Sequence, residues 1–327
     1  MTTPSDFAVF TLAGRDSTLN DLMRAAVRWD LWDDVVRDVR RGLACAASAD
    51  AVSAPNDRAM DSAATVFRYE RNLITAADMD AWLEQWQISV DEWMEYIRRS
   101  LLRATFDSQL DEIDARYAPS ADDVASCVYV EFVCSGALGR VATQLAQRAA
   151  ATARATEERW VDPIDPRSAE GWLDAQDAGY EVFARHVATD DAIRHQVEVR
   201  RLDWIRLACS YVRFSSEPMA REGAMCVRDD GLTLEEVARS ASLDVFDRQD
   251  LYIGDADPDV RDALLAATPG ELVGPLKWGD TYALFLIHDK MLPSVDDPAV
   301  HHRALDAVLR LALEREAVSR VTWHKTL

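Results

Sequence analysis

Apolar positions recur along the first two thirds of the chain at intervals of three and four, the period of a helix with one buried face. Leu22, Val27, Leu31, Val35 and Val39 form one such stripe. Ser17 or Thr18 stands before it as an N-cap, which predicts a helix running to about Ala47. The run from Ser48 to Asn56, rich in Ser, Ala, Pro and Asn, breaks the pattern. A helix through Val66, Phe67 and Leu73 follows. Two capping boxes, Thr75 with Asp78 and Ser89 with Glu92, then separate TAADMDAWLEQWQ from SVDEWMEYIRRSLLRATFDSQL. Ala121 to Ala155 predicts one long or bent helix, in which Gly136 and Gly139 each cost roughly 1 kcal/mol relative to alanine unless backbones approach closely there. Pro163 and Pro166 mark another break, with helices resuming near Ser168 and Asp190.

The period shortens after residue 204. Ile205–Phe214 reads as a strand, followed by a helix around Met219–Val227 and a third capping box, Thr233 with Glu236. Asp257-Pro258 opens a helix ending at Thr268. Leu264 to Lys290 then runs through a Pro-Gly turn, a strand entering at Gly274-Pro275, a polar turn at Trp278-Gly279-Asp280, and a second strand. In that second strand Tyr282, Leu284 and Leu286 alternate with Ala283, Phe285 and Ile287, so both faces are apolar, as in a central strand. Asp297-Pro298 opens a last helix to about Val321, with Leu305, Val308, Leu309 and Ala312 along one stripe. The expected class is α+β: a helical domain over 1–204, a small α/β domain over 205–290, and a C-terminal segment, 291–327, whose helix packs back on the helical domain.

Two stretches carry a family likeness. Pro269-Gly270-Glu271, then Gly274-Pro275-Leu276, then an apolar strand at family spacing, resemble the C-terminal half of parvulin-type peptidyl-prolyl isomerases. Upstream, Phe67 to Leu102 resembles the peptide-binding region of SurA/PrsA-type foldases. The resemblance implies a parvulin-like domain attached to a chaperone-like helical one. It also places the family's two histidines on Ser210 or Tyr211 and on Ala283, and shrinks the family's Gly-Gly-Asp-Leu-Gly stretch to Asp250–Asp255. Cytoplasmic chains of this layout resemble proteins that hold ribosomally made precursor peptides for modifying enzymes.

Charge narrows the partners. A net charge of -21 disfavours nucleic acid and anionic membrane surfaces. No apolar run approaches the roughly 20 residues of a membrane span. The first residues, MTTPSDFAVFTLAGRDST, have neither a basic start nor a secretory apolar core, so the expected location is the cytoplasm. Cys45, Cys127, Cys134, Cys209 and Cys226 include no CxxC and form no disulfide framework. The histidines lack metal-ligand spacing, and no phosphate-binding glycine loop occurs, so neither metal nor cofactor is expected.

The residues proposed for peptide binding are Tyr211, Phe214, Tyr252, Trp278, Tyr282 and Phe285; alternatively these aromatics fill the small domain's own core. A second aromatic group, Trp82, Trp86 and Trp93 with Tyr96, is either helix-packing core or a peptide-binding face. Three functions follow. The chain binds an unfolded or precursor peptide as a chaperone or scaffold, with isomerase chemistry lost. Alternatively it is a prolyl isomerase or another peptide-modifying enzyme using Asp250, Asp255 or Ser210. In the third it is a structural subunit docked on a modifying enzyme.

Overall fold

The computed structural model describes residues 7–49, 54–163 and 171–327. Pro166 and Ser168, expected at a break and a helix start, lie outside them, as does the middle of the Ser48–Asn56 break. In chain order the elements are β1 (Ala8–Leu12), β2 (Arg15–Thr18), α1 (Leu19–Arg28), α2 (Leu31–Ser48), α3 (Asp57–Glu70), α4 (Ala76–Trp86), α5 (Val90–Thr105), α6 (Leu110–Arg116), α7 (Ala121–Cys134), α8 (Ala137–Glu157), α9 (Trp172–Val187) and α10 (Asp190–Val199). Then follow β3 (Arg206–Phe214), α11 (Glu217–Arg228), α12 (Leu234–Ser240), β4 (Val245–Tyr252), α13 (Pro258–Ala266), β5 (Leu272–Trp278), β6 (Thr281–Met291), α14 (Pro298–Arg320) and β7 (Thr322–Trp323). The fold is α+β. Residues 1–184 with 312–327 form one unit, and 185–311 the other.

In the first unit the local signals hold and the long-range ones add to them. Thr18, Thr75 and Ser89 each accept from the N3 backbone, and the N3 carboxylate answers the cap's own N–H. The helix expected from residue 18 to about 47 is two helices, α1 and α2, joined at Trp29-Asp30 with Asp30 left-handed at φ 58°. Likewise 121–155 divides into α7 and α8, which meet at 62° across Gly136, a position at φ 77° that glycine adopts without a Cβ penalty. No single described helix is long and apolar enough to cross a membrane. A helical reading of 1–204 has no place for the hairpin β1–β2, whose turn, Ala13-Gly14, has positive φ at both residues. That hairpin and β7 form a sheet of order β2-β1-β7.

The second unit is built on a four-stranded antiparallel sheet of order β4-β3-β6-β5. β6 lies between two partners, as its two apolar faces require. One face is covered by α13 through Val260 and Leu264, the other by α11 and α12 through Ala224, Leu234 and Val237. Gly223 admits the close approach of α11, since a Cβ there would stand 3.0 Å from Phe214. The Pro-Gly-Glu turn is tied down at both ends. Thr268 N–H donates to the Glu271 carboxylate at 2.9 Å, and Ile287 N–H donates to the Glu271 carbonyl at 3.0 Å. Residues 185–204 and 291–311, assigned from sequence to the segments on either side, cluster with this unit: Ile193, Val197 and Trp204 pack on Val300, Ala304 and Val308 of α14. Farther along α14 Ala317, and just past its end Val321, pack on the core of the first unit.

Candidate functional site

Strand β3 presents alternate side chains to opposite faces of the small sheet, and each face carries a different group. On the α13 face, Tyr211 stands opposite Phe246 of β4 and Phe285 of β6, while Arg213 stands opposite Ala283. The Tyr211 and Phe246 rings stack at 4.6 Å. Trp278, carried in from the end of β5, lies 5.2 Å from Tyr211 and 5.1 Å from Phe285. The Arg213 guanidinium sits 4.5 Å from the Trp278 ring centroid, 5.6 Å from Tyr211 and 5.8 Å from Phe246. Phe285 and Ala283 are fully buried beneath this pile, Tyr211 and Trp278 are half-buried, and Phe246 is 39% exposed.

The residues expected at a peptide site therefore divide. Tyr211, Trp278 and Phe285 come together. Phe214 and Tyr282 lie instead with the opposite core, Phe214 against α11. Their side chains differ in parity from Tyr211 along β3 and from Phe285 along β6, which puts them across the sheet. Tyr252 belongs to the cluster around Trp204, where Arg303 stacks on its ring at 3.8 Å. Phe246 and Arg213 join the group without having been anticipated. Phe246 lies on β4, an edge strand whose mostly exposed sequence, VFDRQDLY, carries no alternation to reveal it.

The other face carries a polar node. Opposite the β3 segment around Ser210, both neighbouring strands bulge by one residue: Asp247 and Arg248 of β4 together face the single residue Ser210, and His288 is an extra residue in β6. The two bulges direct Asp247 and His288 onto the nearly buried Ser210 hydroxyl, each at 2.6 Å. Arg248, in the left-handed region at φ 45°, donates its N–H to the same oxygen at 3.1 Å. A hydroxyl has one proton and two lone pairs. With its proton on Asp247, both lone pairs take hydrogens, from Arg248 N–H and from His288 Nε2–H. That oxygen is saturated, and serine rather than histidine occupies the centre, so the node lacks the order of a nucleophile–base–acid triad.

The remaining acid–base candidates are dispersed. Asp250 pairs with Arg206 at 3.2 Å and Asp255 with Arg303 at 2.7 Å, so these carboxylates and Ser210 do not converge. Burial, reinforced by Asp250, pushes the Cys209 thiol up to about 11, away from thiolate chemistry. Among the described residues no group of three His, Cys, Asp or Glu side chains could hold a metal ion. On the aromatic face the position where the resemblance puts a histidine is Ala283, packed cross-strand between Arg213 and Leu276. That face offers rings, a guanidinium and a phenol, which can hold a chain but supply no imidazole.

Trp82, Trp86 and Trp93 with Tyr96 are core. Phe67 lies 5.6 Å from Trp82 and from Trp93, and 6.2 Å from Tyr96, and all are buried.

No family model and no curated protein matches the chain. Solved structures do. A peptidylprolyl isomerase, PrsA, from Bacillus anthracis is similar at 14% identity over 66% of this chain and 96% of its own, with a TM-score of 0.29. A foldase protein, PrsA, from Lactococcus lactis is similar at 9% identity over 98% of this chain and 95% of its own, with a TM-score of 0.30. A structure from a study of two SurA-like chaperones of Campylobacter jejuni matches at 10% identity, covering 97% of this chain and 99% of its own, with a TM-score of 0.19.

Proposed function

We propose that the protein is a foldase-type chaperone that holds an extended, unfolded or precursor polypeptide against the small sheet and leaves its prolyl bonds to isomerise at their own rate. The observation that carries this reading is the pile of Tyr211, Phe246 and Trp278 over buried Phe285 and Ala283. Half-exposed rings on a rigid sheet provide flat apolar area with little side-chain entropy to lose, the usual composition of peptide anchors. Prolyl rotation has a barrier of about 18–20 kcal/mol, and lowering it needs groups that weaken amide resonance. Ala283 supplies no hydrogen bond, and the Ser210 hydroxyl on the other face is already saturated. A cytoplasmic setting and a precursor peptide awaiting a modifying enzyme extend the same proposal, supported by the resemblance of the sequence motifs.

Calorimetric titration with unfolded polypeptides tests the binding. The expected affinity is micromolar, because a disordered ligand must be ordered on binding. Trp278→Ala should weaken it by about 1–2 kcal/mol. In a protease-coupled assay on Xaa-Pro peptides, isomerisation should keep its spontaneous timescale of tens to hundreds of seconds. Binding untouched by Trp278→Ala, or acceleration of about a hundredfold, would overturn the reading.

A further inference from the structure

The aromatic face holds a cation that nothing in the described chain neutralises. In the same unit Arg200, Arg206, Arg221, Arg261 and Arg303 each have a carboxylate within salt-bridge reach. Arg213 makes no ion pair or hydrogen bond with any described residue; its contacts are the rings of Trp278, Tyr211 and Phe246. A guanidinium held by rings keeps its N–H donors available to a ligand, in a planar fork that matches an oxyanion with two parallel hydrogen bonds. The rings restrain the long side chain before any ligand arrives, so less entropy is lost on engagement.

Taking the peptide-binding reading as its basis, we infer that this face selects segments carrying an oxyanion two residues from an apolar side chain. In an extended segment, side chains two positions apart share a face about 7 Å apart. That spacing lets one side chain lie on the exposed rings while the other reaches Arg213. The net charge of -21 argues the opposite preference, for basic segments. Charges farther away than the screening length, about 8 Å at physiological salt, lose most of their influence, whereas a carboxylate bonded to Arg213 is in direct contact. The contact decides.

The oxyanion is either an acidic side chain within the segment or a terminal carboxylate. Calorimetry of the full chain with four acetylated decapeptides separates these. Three are C-amidated and identical except for Asp, Asn or Lys two residues after a Phe; the fourth repeats the Asn sequence with a free carboxylate two residues after the Phe. The Asp peptide should bind about five- to tenfold tighter than the Asn peptide, with Lys weakest. An equal gain by the fourth peptide assigns the terminal carboxylate as a second source, and no gain there assigns the internal side chain alone. Arg213→Gln should bring the Asp and Asn peptides to the same affinity, whatever it does to the affinity they share; Arg213 is exposed, so folding should survive. Equal affinity for Asp and Asn, or an unchanged preference in Arg213→Gln, refutes the selectivity and leaves peptide binding standing. Absence of binding by all four peptides overturns the underlying reading as well.

Discussion

Two aromatic clusters of similar composition have opposite fates in this molecule. Around Phe67, the rings of Trp82, Trp93 and Tyr96 meet at 5.6–6.2 Å and are closed over by α3, α4 and α5. Around Tyr211, the rings meet at 4.6–5.7 Å, but the pile lies on a sheet with an exposed edge strand and stays open on one side. In the closed cluster the Trp82 and Trp93 indole N–H groups have no partner among the described residues, so the rings are held there by apolar packing. Each cluster carries a guanidinium. Arg71, 3.8 Å from the Phe67 ring centroid, donates to the Phe67 and Cys134 carbonyls, whereas Arg213 among the open rings has no hydrogen-bond or ion-pair partner among the described residues. Aromatic content alone does not mark a binding face. What distinguishes one is a side of the cluster left uncovered, beside a polar group that no other described residue engages.

The two clusters should differ most in what they contribute to stability. Phe67→Ala should cost about 3–5 kcal/mol in chemical denaturation, as expected for a large core aromatic, without selectively changing peptide affinity. A loss under 1 kcal/mol would mean the first cluster is not closed. Ser210→Ala should cost about 1–3 kcal/mol, because Asp247, His288 and the Arg248 N–H lose a shared partner. Hydrogen exchange should then speed up in β4 before the other strands. Trp278→Ala should cost less than about 1 kcal/mol of stability, its effect falling on binding. The smallest effect concerns Glu271, whose carboxyl is held below its ordinary value of 4.5, chiefly by the Thr268 N–H and also by its hydroxyl. A depressed folded value means the contribution is present above the ordinary carboxylate range and is lost as pH falls through the folded value. Carboxyl NMR should place the midpoint below 4.5, and Thr268→Ala should raise it part of the way.

What could be read from sequence was what is decided locally. Capping boxes at Thr75, Ser89 and Thr233 are settled within four residues, and all formed. The alternation of β6 identified a central strand because both its faces are apolar. Strand β7 escaped notice because its pairing with β1, Phe10 opposite Trp323, joins positions far apart in the chain. β4 escaped because an exposed edge strand needs no apolar period. Within the candidate site, parity along β3 and β6 is enough to separate Tyr211 and Phe285 from Phe214 and Tyr282. No such rule brings Trp278 or Phe246 to Tyr211, since that depends on which strands pair. The Ser210 node depends on two bulges, and nothing in the residue types at 247, 248 or 288 announces them.

Hydrogen-exchange mass spectrometry of the full chain, with and without saturating unfolded polypeptide, shows which face holds the polypeptide. Exchange should slow in 206–214, 245–252 and 272–291, with the closed cluster around Phe67 unchanged and the effect weakened by Trp278→Ala. Protection confined to residues 57–105, or the same protection in Trp278→Ala, would contradict binding at the aromatic face.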